Sequence, residues 1–267
     1  MRVPSFAKIL ETQIRNFEAS KSNFEDILTW SERIKDFVAP DNILLKVPEP
    51  REYLFLSHQC GNAFIVSVLT LMKAHILFSE AVARVGLEAT MQMAVIEANF
   101  EHHLEVWKRY NYFNRTKRNW EESPEWREIN KRYKKVFSQD RAKHNYSSFI
   151  FDSEKEQLID WWKLMSSTGS HAGFMHSAMS IDFGKEGNTE TIQSGIFDII
   201  PDEPYKIGTS MIWLNEVYFT LAIITARILT RHKFSLRYSS EKMEDYYEDW
   251  RDFKLKKADD FGIKRPD

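Results

Sequence analysis

Residues 79–112, SEAVARVGLEATMQMAVIEANFEHHLEVWKRYNY, decide the fold. Val82, Val85, Ala89, Met93, Ile96, Phe100, Leu104 and Trp107 recur at three- and four-residue intervals, the period of one face of an α-helix. That face predicts core. In the first half Leu87, Met91 and Val95 lie opposite the stripe, so the helix is apolar on two sides and is expected to be enclosed by others. From Arg51 to Phe113 there is no proline, and the run is too long for one ordinary globular helix. Ser79 followed by Glu80 offers an N-cap with an acid in the first turn. The run is therefore read as two helices, about 51–77 and 79–112, packed as an antiparallel pair.

Working outward, helices are predicted over about 5–18 and 23–38, the second entered through Ser22 and Glu25, which have capping-box spacing. Pro40, Pro48 and Pro50 around ILLKV make an extended connector and a candidate boundary. Ser123 and Pro124 are a favoured cap and first-turn pair, and start a helix at about 124–138. Another begins near Ser153 and passes through LIDWWKLM into SSTGSHAGFMHSAMS. Residues 184–207 read as a loop or at most a short hairpin. The last long helix, about 208–234, is apolar apart from Asn215, Glu216 and Arg227, and is read as a buried core helix rather than a membrane span. The predicted fold is all-α. It is an antiparallel bundle of long helices over residues 51–235, preceded by an N-terminal helical hairpin (1–40) and followed by a charged C-terminal helix and tail (236–267).

Composition narrows the function classes. A chain of 267 residues has length for one large domain or two small ones. Only 9 Gly and 8 Pro in a chain that is 14% aromatic suit long, heavily packed helices better than a turn-rich β fold. A formal charge of -2 means that any nucleic-acid surface has to be local. Cys60, the single cysteine, excludes a disulfide framework and reads as a buried thiol. The first residues have no apolar h-region, so no secretory signal is expected. A cytoplasmic protein without a membrane partner or cofactor is the expectation.

Several constellations carry chemistry. Glu80, Arg84, Glu88 and Gln92 recur at four-residue intervals and form one row, with Arg84 and Glu88 at pairing distance. An exposed row means little; a buried one demands a network that satisfies its charges. Ser166, Ser167, Ser170, His171 and His176 follow Trp161 and Trp162. Ser167 and His171 would meet on a helix, where a histidine can serve as base for a hydroxyl; a structural hydrogen bond is the simpler reading. His171 and His176 are five apart, so a two-histidine metal face is not supported. Glu97, Glu101 and Glu105 beside His102 and His103 lack the Glu-x-x-His element of di-metal helical sites, and are read as a solvated face with no metal. Residues 108–143 hold twelve Lys/Arg against five Asp/Glu, interleaved with aromatics. Arg115, Lys117, Arg118, Arg127, Lys131 and Lys134 are candidate contacts to a phosphate backbone; the alternative is an amphipathic helix with its aromatics in the core.

An Arg84-x3-Glu88 helix, a basic connector, and then WWKLMSSTGSHAGF leading to His171 resemble a widespread family of bacterial helical-bundle proteins with an Arg-x3-Glu helix and a Ser-x-x-x-His helix. Those proteins look like distant relatives of the HEPN and abortive-infection bundles. The resemblance covers about residues 51–235. It implies that Arg84, Glu88 and His171 approach one another near the core. HEPN ribonucleases also use an Arg-x4-6-His spacing, which Arg227 and His232 meet, as do Arg51 and His58; Ile228 departs from the polar residue that usually follows the arginine. The expectation is a defence- or toxin-related protein with RNA-linked activity, with Arg84, Glu88, His171, Arg227 and His232 as candidate catalytic residues. The alternatives are an interaction or scaffold module, binding a protein partner through residues 240–256 or associating with itself, and a small-molecule pocket between the 79–112 and 153–182 helices.

Overall fold

A computed structural model of the chain describes residues 6–38, 42–44, 50–116, 119–138, 150–168, 182–186, 189–193 and 204–261. Helices α1 (Phe6–Asn23) and α2 (Glu25–Val38) come first, then α3 (Glu52–Met72), α4 (Ile76–Ala98) and α5 (Phe100–Asn111). A 3-10 turn at Trp120–Glu122 precedes α6 (Pro124–Phe137), and α7 (Asp152–Thr168), α8 (Pro204–Arg231) and α9 (Ser240–Asp260) follow among the described residues. The fold is all-α. Its strands are minor: β1 (Ile43–Leu44) pairs antiparallel with β4 (Ser235–Leu236), and β2 (Asp182–Glu186) with β3 (Thr189–Gln193).

The predicted pair of helices is present and antiparallel, but the turn lies elsewhere. The Ser79 hydroxyl donates to the carbonyl of Ser67 across the pair, and the Thr90 hydroxyl meets Cys60 Sγ at 3.6 Å. Ser79 is thus inside α4 rather than its cap. The chain reverses at Lys73–His75, where Ala74 takes a left-handed φ of 68°. A second break at Asn99 divides the predicted 79–112 helix into α4 and α5. Ser22 likewise lies within α1 rather than capping α2. Ser123 does cap α6, its hydroxyl accepting from the Trp126 amide at 3.1 Å, with Pro124 in the first turn.

α8 is about 42 Å long at the usual rise per residue and packs against α2, α3, α4 and α9. Each polar residue that interrupts it meets a neighbour. Asn215 accepts from the Ser31 hydroxyl of α2 at 2.9 Å. Glu216 accepts from Tyr247 and Trp250 of α9 at 2.5 and 2.7 Å. Arg227 reaches Glu154 of α7 and Glu244 of α9 at 2.7 and 2.6 Å. Burying these groups unpaired would be costly, so each fixes where a neighbouring helix docks.

α4 and α8 run parallel, in a register marked three times. Tyr218 Oη donates to the Ala83 carbonyl, Thr90 Oγ1 meets Thr225 Oγ1, and His232 Nε2 meets Glu97 Oε1, each linking positions 135 residues apart. The rungs recur every seven residues, two helical turns, which keeps one face of each helix on the other. Gly86 lies between the first two rungs, against the Tyr218 ring, where a Cβ would collide with the phenol.

One continuous buried cluster takes residues from all three segments of the sequence reading, including Ile27 and Ile34, Met93 and Leu221, and Met243 and Trp250. α3 and residues 206–231 of α8 are both long and apolar enough to cross a membrane, and the most apolar stretches are 50% and 83% buried in the protein respectively. Val85, counted above as core, is exposed.

Burial pushes the Cys60 thiol up to about 12 from 9.0, against a smaller opposing effect of the Thr90 hydroxyl. The unfolded thiol loses its proton near pH 9, whereas the folded one keeps it until about 12. Stability from this group is therefore complete below pH 9 and falls as pH rises, by about 1.4 kcal/mol per unit. Tyr53, Tyr133, Tyr218 and Tyr247, raised first by burial, add the same sign above pH 10. Urea unfolding from pH 8 to 10.5 is expected to show falling stability above pH 9, with Cys60→Ala shallower between 9 and 10. Equal slopes in the two proteins would refute this.

Candidate functional site

Three polar constellations and one basic surface contain the described candidate residues. The first joins α4 to α7. Glu88 Oε1 accepts from Arg84 Nε at 2.8 Å and from Trp162 Nε1 at 3.0 Å. The Arg84 guanidinium lies 5.0 Å from the Trp162 ring centre. The two side chains are 21% and 35% exposed, so the row is neither sealed nor fully solvated. Farther along it, Gln92 Oε1 accepts from Trp107 Nε1 at 2.7 Å and ties α5 back onto α4. Ser166 donates to the Trp162 carbonyl at 2.6 Å. Ser170, His171 and His176 lie outside the described residues, as does the Ser167 side chain, so the approach of His171 to Arg84 and Glu88 is not among the observed contacts.

The second constellation surrounds Glu97, whose side chain is 2% exposed. The Tyr53 phenol donates to Glu97 Oε1, and His232 Nε2 lies 2.5 Å from the same oxygen. Arg231 Nε stands 3.5 Å from Oε2. Phe100 packs on the His232 ring, centroids 4.6 Å apart. Burial and the Glu97 charge both hold Tyr53 in its neutral form. The expectation of a solvated Glu97–Glu101–Glu105 face is corrected at its first member, because Glu97 lies on the α4 face turned to α8, seven residues beyond Thr90; Glu101 and Glu105, past the break at Asn99, are exposed.

The third constellation is the Arg227 clamp. Its guanidinium bridges Glu154 and Glu244 over the Phe151 ring. Arg227 and His232 are about 140° apart around a helix at 100° per residue, and they serve different neighbours. The other Arg–His pair places Arg51 on the surface at the start of α3 and His58 one to two turns on, exposed, with Nε2 2.9 Å from Asn62 Nδ2. Among the described residues no three His, Cys, Asp or Glu side chains are grouped to hold a metal ion.

The basic segment divides into a packed part and a free part. Tyr110 stacks on Tyr133 at 3.7 Å, Tyr133 on Phe137 at 4.7 Å, and Trp126 packs against Trp120 at 4.8 Å. Arg115, though exposed, lies against this group, 5.0 Å from the Trp126 ring centre, and donates to the Tyr110 carbonyl at 3.2 Å. These aromatics form the α5–α6 interface, as in the amphipathic alternative. Arg127, Lys131 and Lys134 share the outer face of α6 with Lys135, which sequence reasoning passed over despite its helical spacing from Lys131. All four are exposed and form no ion pair among the described residues, while Arg132 is engaged by Glu128. Lys117 and Arg118 lie outside the described residues.

Compared with family models, curated proteins and solved structures, the chain has no match. The resemblance to HEPN-type bundles therefore rests on its own short motifs.

Proposed function

We propose that the protein is a nucleic-acid-binding helical module, with RNA the class of ligand and the outer face of α6 the contact surface. The observation that carries this is the row Arg127, Lys131, Lys134 and Lys135, exposed and forming no ion pair among the described residues, in a chain whose formal charge is only -2. Four cations within two and a half helical turns attract a polyanion and release its counterions. Arg84 and Arg227 favour a binding role over catalysis, because Arg84 is held by Glu88 of its own helix and Arg227 by Glu154 and Glu244 of its neighbours. An arginine that stabilises developing phosphate charge has to be free to meet it.

Binding of a short labelled RNA of mixed sequence, followed by fluorescence anisotropy, is expected to weaken steeply between about 50 and 200 mM salt. Replacing Arg127, Lys131 and Lys134 together by Gln should flatten the slope of log K against log salt by about 2. Salt-independent binding, or an unchanged slope in the triple variant, would sink the proposal.

The ribonuclease reading retains one observation in its favour. His232 is oriented by a buried carboxylate with Arg231 beside it, a pairing that suits a general base. RNA cleavage in chelator that disappears in His232→Ala would place the protein among metal-independent nucleases; the binding module predicts no such cleavage.

A further inference from the structure

Beside the basic row, a cleft of about 900 Å³ opens between α5 and α6. We infer that it receives an unpaired nucleobase, so that the nucleic acid held by α6 is single-stranded; this rests on the reading above.

Charge divides the two surfaces. The cleft is lined by three cations, Lys108, Arg109 and Arg132, and three carboxylates, Glu105, Glu125 and Glu128. Arg109 is bound to Glu105 and Arg132 to Glu128. A phosphate gains nothing there, while the cations of the row farther round α6 form no ion pair among the described residues. The arrangement suits a strand whose backbone follows the row and whose neutral, planar base turns into the cleft.

Tyr112 supplies the stacking surface. Most aromatic side chains at this interface pack on one another, but Tyr112 lines the cleft and is 57% exposed. It is nonetheless fixed: its hydroxyl donates to Glu52 Oε1 at 3.3 Å, and its ring meets Trp107 edge-on at 5.9 Å. A held ring with an open surface stacks a base with little ordering cost. Asn114, Asn119 and His102 also line the cleft and offer donors and acceptors for a base edge. A duplex keeps its bases stacked and paired, so it can reach the row but not the cleft.

The test compares an RNA strand with the same strand in a duplex, using the full chain. The strand is expected to bind about tenfold more tightly than the duplex. Tyr112→Ala should lose about tenfold on the strand and leave duplex binding unchanged, and Tyr112→Phe should keep the wild-type preference. Ile129→Trp, which fills the cleft from α6 without touching the row, should reproduce the alanine result, and it decides the matter if Tyr112→Ala weakens both forms. Equal wild-type affinity for strand and duplex, with the salt slope intact, overturns the base cleft and leaves the basic row standing. Loss of all RNA binding in the wild-type protein overturns both.

Discussion

Replacing Trp250 by alanine is expected to cost about 3–5 kcal/mol of stability, the range for removing a large side chain from a core. Trp250 is fully buried. Its ring lies 5.5 Å from Trp30 of α2 and 5.6 Å from Phe253. Its Nε1 donates to Glu216 Oε2 at 2.7 Å, and the same carboxylate receives the Tyr247 hydroxyl and the Lys254 ammonium. Alanine removes packing to two helices and one donor from a mostly buried carboxylate, whereas Trp250→Phe retains the ring and should cost about 1–2 kcal/mol. Thermal unfolding should show a fall of about 10 °C for the alanine variant. A cost below about 1 kcal/mol would mean that α9 is the solvated appendage its charge content predicts.

α9 shows how a pattern can be present and still be missed. Met243, Tyr246, Tyr247, Trp250 and Phe253 follow three-and-four spacing within SSEKMEDYYEDWRDFK, but the density of acids and bases leaves the segment legible only as a charged helix and tail. Met243 and Trp250 are core, and the other three pack partly buried against it. Where local chemistry decides, the reading holds: Ser123 and Pro124 start α6 as expected, because a cap needs only its own turn. The α3–α4 turn lies about four residues before the expected position. Ser79 spends its hydroxyl on a neighbouring helix, and the actual reversal passes through an alanine at positive φ, which nothing in the local sequence announces. The candidate site divides in the same way. The exposed α6 row follows from helical spacing alone. The partners of Arg84 and Arg227 across α7 and α9 depend on tertiary contacts between distant segments.

Glu97 is the position where that loss of information matters most, and its replacement by alanine should rival Trp250→Ala. A carboxylate in the last turn of α4 opposes the helix dipole, and burial adds a desolvation cost. Tyr53, His232 and Arg231 offset both. Alanine would leave a buried phenol and imidazole without their shared acceptor, an expected loss of about 3–5 kcal/mol. It would also remove the last of the three rungs that set α4 against α8. Because buried polar groups are costly mainly when half-satisfied, the combined variant Tyr53→Phe, Glu97→Leu, His232→Leu should recover most of the stability lost in Glu97→Ala. If that combined variant also binds RNA with wild-type affinity and salt slope, the cluster serves helix register and the α6 face serves the ligand. A combined variant that is stable but no longer binds would assign the cluster to the ligand instead. A melting temperature within about 1 °C of wild type for Glu97→Ala would mean that the carboxylate holds nothing in place.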